Sequence, residues 1–314
     1  MPISTRPSAP SLRRNEVERV KLFRKKRVVL NRNGSQAADV WYRLRKNKTA
    51  MVGLVIICIV LLLAIFADVL ADYDTMAIAM HPEDRLDGPS AEHILGTDGS
   101  GRDLFARVIH GARYSLTFAL ACTFFGVVGG VLVGAFAAYM GGKVDYVIMR
   151  IIDAFNCLPA MLLSLSLVSA LGMGMKSIII ALSISAIPGY ARIVRSVMLS
   201  IVQQEYIEAA RACGLSTLRI IVGHAIPNAI GLIIVNATMN MAGIIISAAS
   251  LSYIGMGIQA PAPEWGAMLS DAQMFMRTHV HVVLVPGLAI VITALSFNLL
   301  GDGLSEALDP RMKD

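Results

Sequence analysis

The sequence predicts an all-α protein that crosses a membrane several times. Of its 314 residues, 55% are hydrophobic and only 16% are charged. A soluble domain of this length carries about 25% charged residues. Uncharged apolar stretches recur along the chain, and a stretch of about 20 such residues spans the hydrocarbon core as a helix.

Six uncharged stretches follow a basic N-terminal arm, and each is predicted to contain one transmembrane helix. The fourth is the weakest, because Pro188 lies inside it and arginines follow it. The fifth is too long for a single span, so part of it is expected to be interfacial or re-entrant, with glycines and prolines after residue 254 marking the end of its helix. In chain order the stretches are Thr49–Ala67, Tyr114–Gly142, Ala154–Met175, Ser177–Ala191, Ala225–Pro263 and Val282–Gly301.

The predicted organisation places the membrane-crossing core between polar ends. Residues 1–48 form a basic cytoplasmic arm, 49–71 the first transmembrane helix and 72–113 a loop outside the membrane. Residues 114–303 hold five further transmembrane helices, and 304–314 form a cytoplasmic tail.

The distribution of positive charge predicts the orientation. Six spans put both termini on one side, and that side then holds 22 of the 28 Lys and Arg, against 6 on the other. Cytoplasmic loops carry such an excess, so both termini and residues 205–228 are predicted to be cytoplasmic. A five-span topology without the fourth helix would place 205–228 and its arginines outside.

Several functions are disfavoured by the sequence. The net charge of +6 is concentrated in the N-terminal arm and at the ends of apolar stretches, which is typical of membrane orientation and not of nucleic-acid binding. The chain has no GxxxxGK[ST] phosphate-binding motif, no catalytic constellation and no cofactor motif. The four cysteines show no disulfide or zinc spacing. His279 and His281 do not share a helix face, so no metal site is predicted.

The outer loop contains closely spaced glycines and charges. Asp98, Arg102 and Asp103 lie in the stretch LGTDGSGRD, residues 95–103, where they can pair locally while Gly96, Gly99 and Gly101 permit turns. One interpretation is a loop held only by its own ion pairs. The other is a folded surface that helps to dock a protein outside the membrane.

Residues 205–228, EYIEAARACGLSTLRIIVGHAIPN, are unusually polar for their position between two apolar stretches. Glu205, Glu208 and Arg211 form a polar ridge along a predicted helix. A stripe of small side chains lies beside it and allows another surface to approach the backbone closely. That stripe consists of Ala209, Ala210, Cys213 and Gly214.

The second half of this segment predicts a turn followed by another helix. Gly214 suits a left-handed helix cap, and Ser216 can cap the next helix. Pro227 is expected to mark the entry to the following span. On spacing alone, an amphipathic hairpin that only connects two spans remains an equal alternative.

The pattern Glu208-Ala209-Ala210, three residues, Gly214 and Ile226-Pro227 resembles the EAA loop of bacterial ABC importer permeases. That family often has Ile in place of His224 and Leu in place of Ile226, whereas the form here is similar to the dipeptide, oligopeptide and nickel branch. Further stretches resemble the second, C-type permease of that branch from residue 41 onward. They are LGTDGSGRD, GARYSL at 111–116, PAPEWGAMLSDA ending at residue 272, and PGLAIVITALSFNLLGDGLSEALDPR at 286–311.

The resemblance implies six transmembrane helices of the type I importer architecture in a bacterial inner membrane. It also implies a heterodimer with a homologous permease, two ATP-binding subunits and an extracytoplasmic solute-binding protein. Glu205, Glu208, Ala209, Ala210, Arg211, Gly214 and Pro227 would then couple the permease to the ATPases. The implied cargo is di- or oligopeptides.

Other functions remain open at the level of sequence. The same machinery could import nickel or another small solute. A secondary carrier or channel is less consistent with the near absence of ionisable groups inside the spans, and a membrane scaffold would need no pathway at all. Polar residues inside the spans either line a pathway or hydrogen-bond between helices; they are Ser164, Ser166, Ser183, Ser185, Asn236, Thr238 and Asn240.

Overall fold

The computed structural model describes residues 36–308, which form helices, short helical turns and loops with one isolated β-bridge. Most of the basic arm and the end of the tail lie outside the described residues. The α-helices are α1 (Gln36–Lys46), α2 (Lys48–Ile65), α3 (Ala67–Leu70), α4 (Leu104–Met140), α5 (Gly142–Asn156), α6 (Ala160–Leu171), α7 (Met175–Val202), α8 (Glu205–Ala212), α9 (Thr217–Ile220), α10 (Ile226–Tyr253), α11 (Trp265–Ala272) and α12 (Val280–Leu308).

Five helical stretches in residues 36–308 are long and apolar enough to cross a membrane. They are α2, α4, α7, the continuous stretch Thr217–Tyr253, and α12. A sixth span results if α5 and α6 count as one, although they meet at an angle of 84°. Pro159 lies in the break between them, where a proline disfavours a straight helix.

Two spans are longer than the uncharged stretches that predicted them. Helix α4 begins at Leu104, not Tyr114, because Asp103 caps it and the chain itself provides acceptors for Arg107 and Arg113. Helix α7 runs to Val202, past Arg192 and Arg195. Charged residues can continue a helix when each finds a partner, so absence of charge underestimates the length of these helices.

The arginines of α7 attach it to α5. Arg195 makes two hydrogen bonds of 2.5 Å to the carboxylate of Asp145, and Arg192 lies 3.0 Å from Asp153. Both acids are on α5. A forked guanidinium–carboxylate pair fixes distance and direction, so these two pairs hold the bent helix against α7.

The fifth stretch ends where its glycines predicted. Helix α10 stops at Tyr253, and Gly255 takes a positive φ of 84°. At its other end, Pro227 lies in the first turn of α10, as predicted, although no break separates α10 from the helical residues before it. The chain continues from Thr217 through a π-helical turn, Ile221–Ala225, into α10. Local π geometry accommodates a proline because it rearranges the backbone hydrogen bonds beside it.

Helices α4 and α7 approach each other closely through glycines of α4. A Cβ atom at Gly134 would lie 2.4 Å from the carbonyl oxygen of Ala191, and one at Gly130 would lie 2.3 Å from Cβ of Tyr190. These two glycines are four residues apart and therefore share one helix face. Small residues at this spacing let helices pack at short distance, which is the usual source of association inside a bilayer.

Candidate coupling segment and outer loop

The coupling segment, residues 205–228, is anchored on one side to the rest of the bundle. Ile207 of α8 and Ile220 of α9 are fully buried. They pack in one apolar cluster with residues of α4, α7 and α10, among them Ala135, Val194 and Ala229. Helices α8 and α9 are therefore packed against three membrane-spanning helices in one close-packed cluster.

The other side of the coupling segment is exposed. Glu205 and Glu208 are exposed, and among the described residues neither forms an ion pair or a side-chain hydrogen bond. Tyr206, Leu218 and Val222 are also exposed, by 43%, 72% and 57%. Exposed apolar residues next to unpaired charges are typical of a surface that binds another protein.

Arg211 departs from the ridge that the sequence predicted. Its Nε donates a hydrogen bond of 3.3 Å to the hydroxyl of Tyr139, and its guanidinium lies 4.8 Å from the centre of that ring. It makes no ion pair with Glu208. Arg211 therefore holds α8 to the end of α4, and it remains exposed together with the two glutamates of the ridge.

The stripe of small residues is divided between the two sides. Ala210 is buried in the apolar cluster, whereas Ala209, Cys213 and Gly214 are exposed. Gly214 has a φ of 78°, so the predicted left-handed cap is confirmed. A Cβ added at Gly214 would meet nothing within 4 Å. The requirement for glycine is thus conformational within this chain. Ser216 precedes α9 as predicted, but its side chain makes no capping hydrogen bond.

The outer loop forms a buried ionic cluster around Asp98. One carboxylate oxygen accepts hydrogen bonds from the backbone N–H groups of Ser100 and Arg102, at 2.8 and 3.0 Å. The other lies 2.7 Å from Nε of Arg102 and 3.3 Å from Nε of Arg107. Asp98 is 5% exposed, Arg102 4% and Arg107 1%. This loop is therefore a folded element whose central carboxylate is bound by groups of its own chain.

Asp103 does not pair with Arg102. It binds the start of α4 and a histidine instead. It caps α4 by accepting a hydrogen bond from the N–H of Ala106, at 2.8 Å. Its second oxygen accepts a hydrogen bond of 2.8 Å from Nδ1 of His93. This hydrogen bond is the main reason why the pKa of His93 is raised above its ordinary value. The three residues Asp98, Arg102 and Asp103 are buried. They therefore stabilise the fold of the loop and are not themselves part of its surface.

The polar residues in the spans do not divide along the two alternatives that the sequence left open, because most of them bond within their own helices. The hydroxyls of Ser164 on α6 and Ser185 on α7 lie 2.9 Å apart and line a cavity of about 310 Å³ together with Asn240 of α10. The others donate to carbonyl groups of their own helices, as Thr238 does to Ile234. The cavity thus combines a few polar groups with an apolar wall, as small-molecule sites do.

Some functional candidates were missed by the sequence analysis. Arg107 and Asp271 belong to the ionic cluster: Arg107 contacts the nearby Asp98, whereas Asp271 contacts Arg102 from a distant part of the chain. No local pattern could have found Asp271. The glycine spacing in α4 was a visible signal for close helix packing.

A helical chain with five or six spans, held together by buried glycines and ion pairs, is a polytopic integral membrane protein. Comparison with known proteins identifies its family. Residues 130–314 match the model of the binding-protein-dependent transport system inner membrane component, and the chain belongs to that family. Residues 35–89 match the N-terminal TM domain of oligopeptide transport permease C. The chain is therefore a multi-pass inner-membrane permease subunit of the ABC importer class.

Curated relatives cover most of the chain. A dipeptide transport system permease protein from Alkalihalophilus pseudofirmus is 42% identical over 275 residues, which is 88% of this chain and 90% of the relative. A glutathione transport system permease protein from Escherichia coli is 44% identical over 276 residues, with the same two shares. Among solved structures, the MetNI methionine ABC transporter in an inward-facing conformation has a TM-score of 0.54 at 22% identity. That match covers 65% of this chain and 97% of the other, and it confirms the type I permease fold.

Proposed function

We propose that this chain is the C-type permease of an ATP-driven importer for short peptides and that residues 205–228 couple it to ATPase subunits in the cytoplasm. The observation that carries the peptide class is the identity of 42–44% over 88% of the chain to permeases named for a dipeptide and for glutathione, itself a tripeptide. Nothing in the described residues favours nickel over peptides.

The coupling role rests on the two-sided character of the segment. Its buried side contacts α4, α7 and α10, and its exposed side offers two glutamates, three apolar side chains and the turn at Gly214. An ATPase subunit that grips the exposed side would move the bundle as it closes on ATP. Since the sequence lacks a phosphate-binding motif, hydrolysis belongs to that partner.

The remaining subunits follow from this assignment. A homologous permease completes the pathway as a heterodimer, two ATP-binding subunits power it, and a solute-binding protein delivers cargo from outside. In the proposed orientation both termini and residues 205–228 lie in the cytoplasm, and residues 72–113 and 259–281 lie outside. The cavity lined by Ser164, Ser185 and Asn240 is the part of the pathway that this chain supplies.

The experiment is peptide uptake by the importer reconstituted in proteoliposomes. Labelled dipeptide or glutathione is supplied with the binding protein, and either internal ATP or an imposed proton gradient provides the energy. We expect uptake with ATP alone. Uptake driven by the proton gradient without ATP would replace this proposal with a secondary carrier, and nickel uptake without peptide uptake would replace the cargo.

A further inference from the structure

The outer face contains a second cavity, of about 320 Å³, directly above the ionic cluster. Three arginines line it, Arg85, Arg102 and Arg107, but only two acids do so, Asp98 and Asp271. The lining therefore carries an excess of one positive charge. An anion that entered would restore neutrality in a site partly shielded from water, where attraction between charges is stronger than in bulk solvent.

Two of these arginines have N–H groups that are unpaired or only weakly paired. Nε of Arg107 is buried and has no hydrogen-bond partner, although it lies 3.3 Å from Asp98. Arg102 reaches Asp271 only at 3.4 Å, and the side chain of Asp271 is 51% exposed. This long contact at an exposed acid can be exchanged for a better one, because an arginine prefers a carboxylate at 2.7–2.9 Å.

The third arginine is held at the entrance. The guanidinium of Arg85 lies 5.5 Å from the centre of the Phe275 ring, and Arg85 itself is exposed. Gly99 permits this arrangement, since a Cβ there would lie 2.5 Å from the ring. Stacking on an aromatic face fixes the plane of the guanidinium and leaves its N–H groups free to donate.

The rim of the cavity is apolar and exposed. Met80 is 64% exposed and Met274 is 83% exposed, and both line the cavity outside the membrane-spanning helices. Such a rim offers no favourable contact to a free hydrated ion, whereas it can bury apolar surface of a protein. Flexible methionine side chains around a charged centre are typical of surfaces that bind proteins.

We propose that this cavity, lined by Arg85, Arg102 and Arg107 and rimmed by Met80 and Met274, receives an acidic side chain of the extracytoplasmic solute-binding protein. The inference rests on the proposed function, because it requires that such a partner docks on this face. It adds direct contacts to the folded surface that the sequence predicted around Asp98, Arg102 and Asp103: Arg85 contacts the acid at the entrance, and Arg102 and Arg107 form the floor.

The test is the affinity of the solute-binding protein for the assembled importer in nanodiscs, measured without ATP at low and at high salt. Arg85→Glu is expected to weaken docking by roughly tenfold or more at low salt, and by less at high salt, as expected for a lost charge pair. Arg277→Glu is the matched control, because Arg277 is exposed in the same outer region but does not line the cavity. The affinity of the solute-binding protein for the Arg277→Glu importer should stay close to its affinity for the unmodified importer.

A second variant is expected to raise the affinity of the solute-binding protein for the importer. Asp271→Asn removes the competing acid and should tighten docking. Unchanged affinity in Arg85→Glu, or equal losses in Arg85→Glu and Arg277→Glu, would overturn the inference. So would normal docking with a raised KM for peptide, which would mean that the cavity takes the carboxylate of the cargo. Because docking is measured without ATP, these outcomes are independent of coupling through residues 205–228.

Discussion

The outer loop and the coupling segment contain similar residues, but Asp98 of the first is paired within the chain, whereas the glutamates of the second are not paired with any described residue. Both contain acids, arginines and a glycine with positive φ, yet Asp98 has four N–H neighbours inside its own chain while Glu205 and Glu208 have no side-chain partner among the described residues. The carboxylate of Asp98 is satisfied by groups of this subunit, whereas the two glutamates are exposed and, within residues 36–308, unpaired, as we propose for a surface that binds another protein. A change at Asp98 should therefore affect folding, and changes in the coupling segment should affect transport.

The largest effect on stability is expected for Asp98→Asn. The substitution keeps the shape of the side chain but leaves Arg107 buried without an acid beside it and Arg102 with only its longer contact to Asp271, which costs about 3–5 kcal/mol. Thermal unfolding of the purified subunit in detergent measures the loss. Asp87→Asn is the control, because Asp87 is exposed in the same loop and its side chain makes no hydrogen bond there. Equal melting of the two variants would contradict the comparison.

Gly214→Leu should have a smaller effect on stability and a large one on transport. Nothing in this chain occupies the space beside Gly214, so the cost is that of a left-handed backbone with a side chain, about 1–2 kcal/mol. Relaxation of that strain displaces the turn between α8 and α9, and peptide uptake should fall by at least an order of magnitude. Gly214→Asn provides the control, since asparagine tolerates this conformation. If Leu and Asn variants transport equally well, the geometry of the turn does not matter.

The hydrogen bond between His93 and Asp103 predicts a weaker, pH-dependent effect in the outer loop. The pKa of His93 is raised in the folded protein, so its contribution to stability is fully present below its ordinary pKa of 6.5. The contribution is lost as pH rises from there through the raised pKa. The expected size is on the order of 1 kcal/mol, as for one such hydrogen bond. Melting measured across this range should show the dependence, and His93→Gln should remove it.

The sequence predicted the membrane helices better than their ends. Uncharged stretches located the five long apolar helices of residues 36–308, because the hydrocarbon core excludes unpaired charge. They misplaced the ends of helices that continue past a charge paired within the chain. These charges are Arg113, beside Asp68, and Arg195, beside Asp145. Such pairing depends on residues about 45–50 positions away, and no local pattern contains it.

The candidate sites show the same limit. Gly214 was predictable, since its conformation depends on its own turn. The contacts of Arg211 with Tyr139 and of Arg102 with Asp271 depended on which distant segments meet in the fold. The Arg85 cavity was not predictable at all, because its lining comes from residues 80–107 and 260–282.

The central claim is that the coupling segment is built for a partner, and Glu208→Lys tests it most directly. Glu208 is exposed, so the substitution should change the free energy of unfolding by less than about 0.5 kcal/mol. The measurement is peptide-stimulated ATP hydrolysis by the reconstituted importer, with Glu92→Lys in the outer loop as the charge-matched control. The account predicts unchanged melting for both variants, with stimulation lost in Glu208→Lys and retained in Glu92→Lys. Full stimulation in Glu208→Lys with its ATPases bound would contradict it and leave residues 205–228 as a connector.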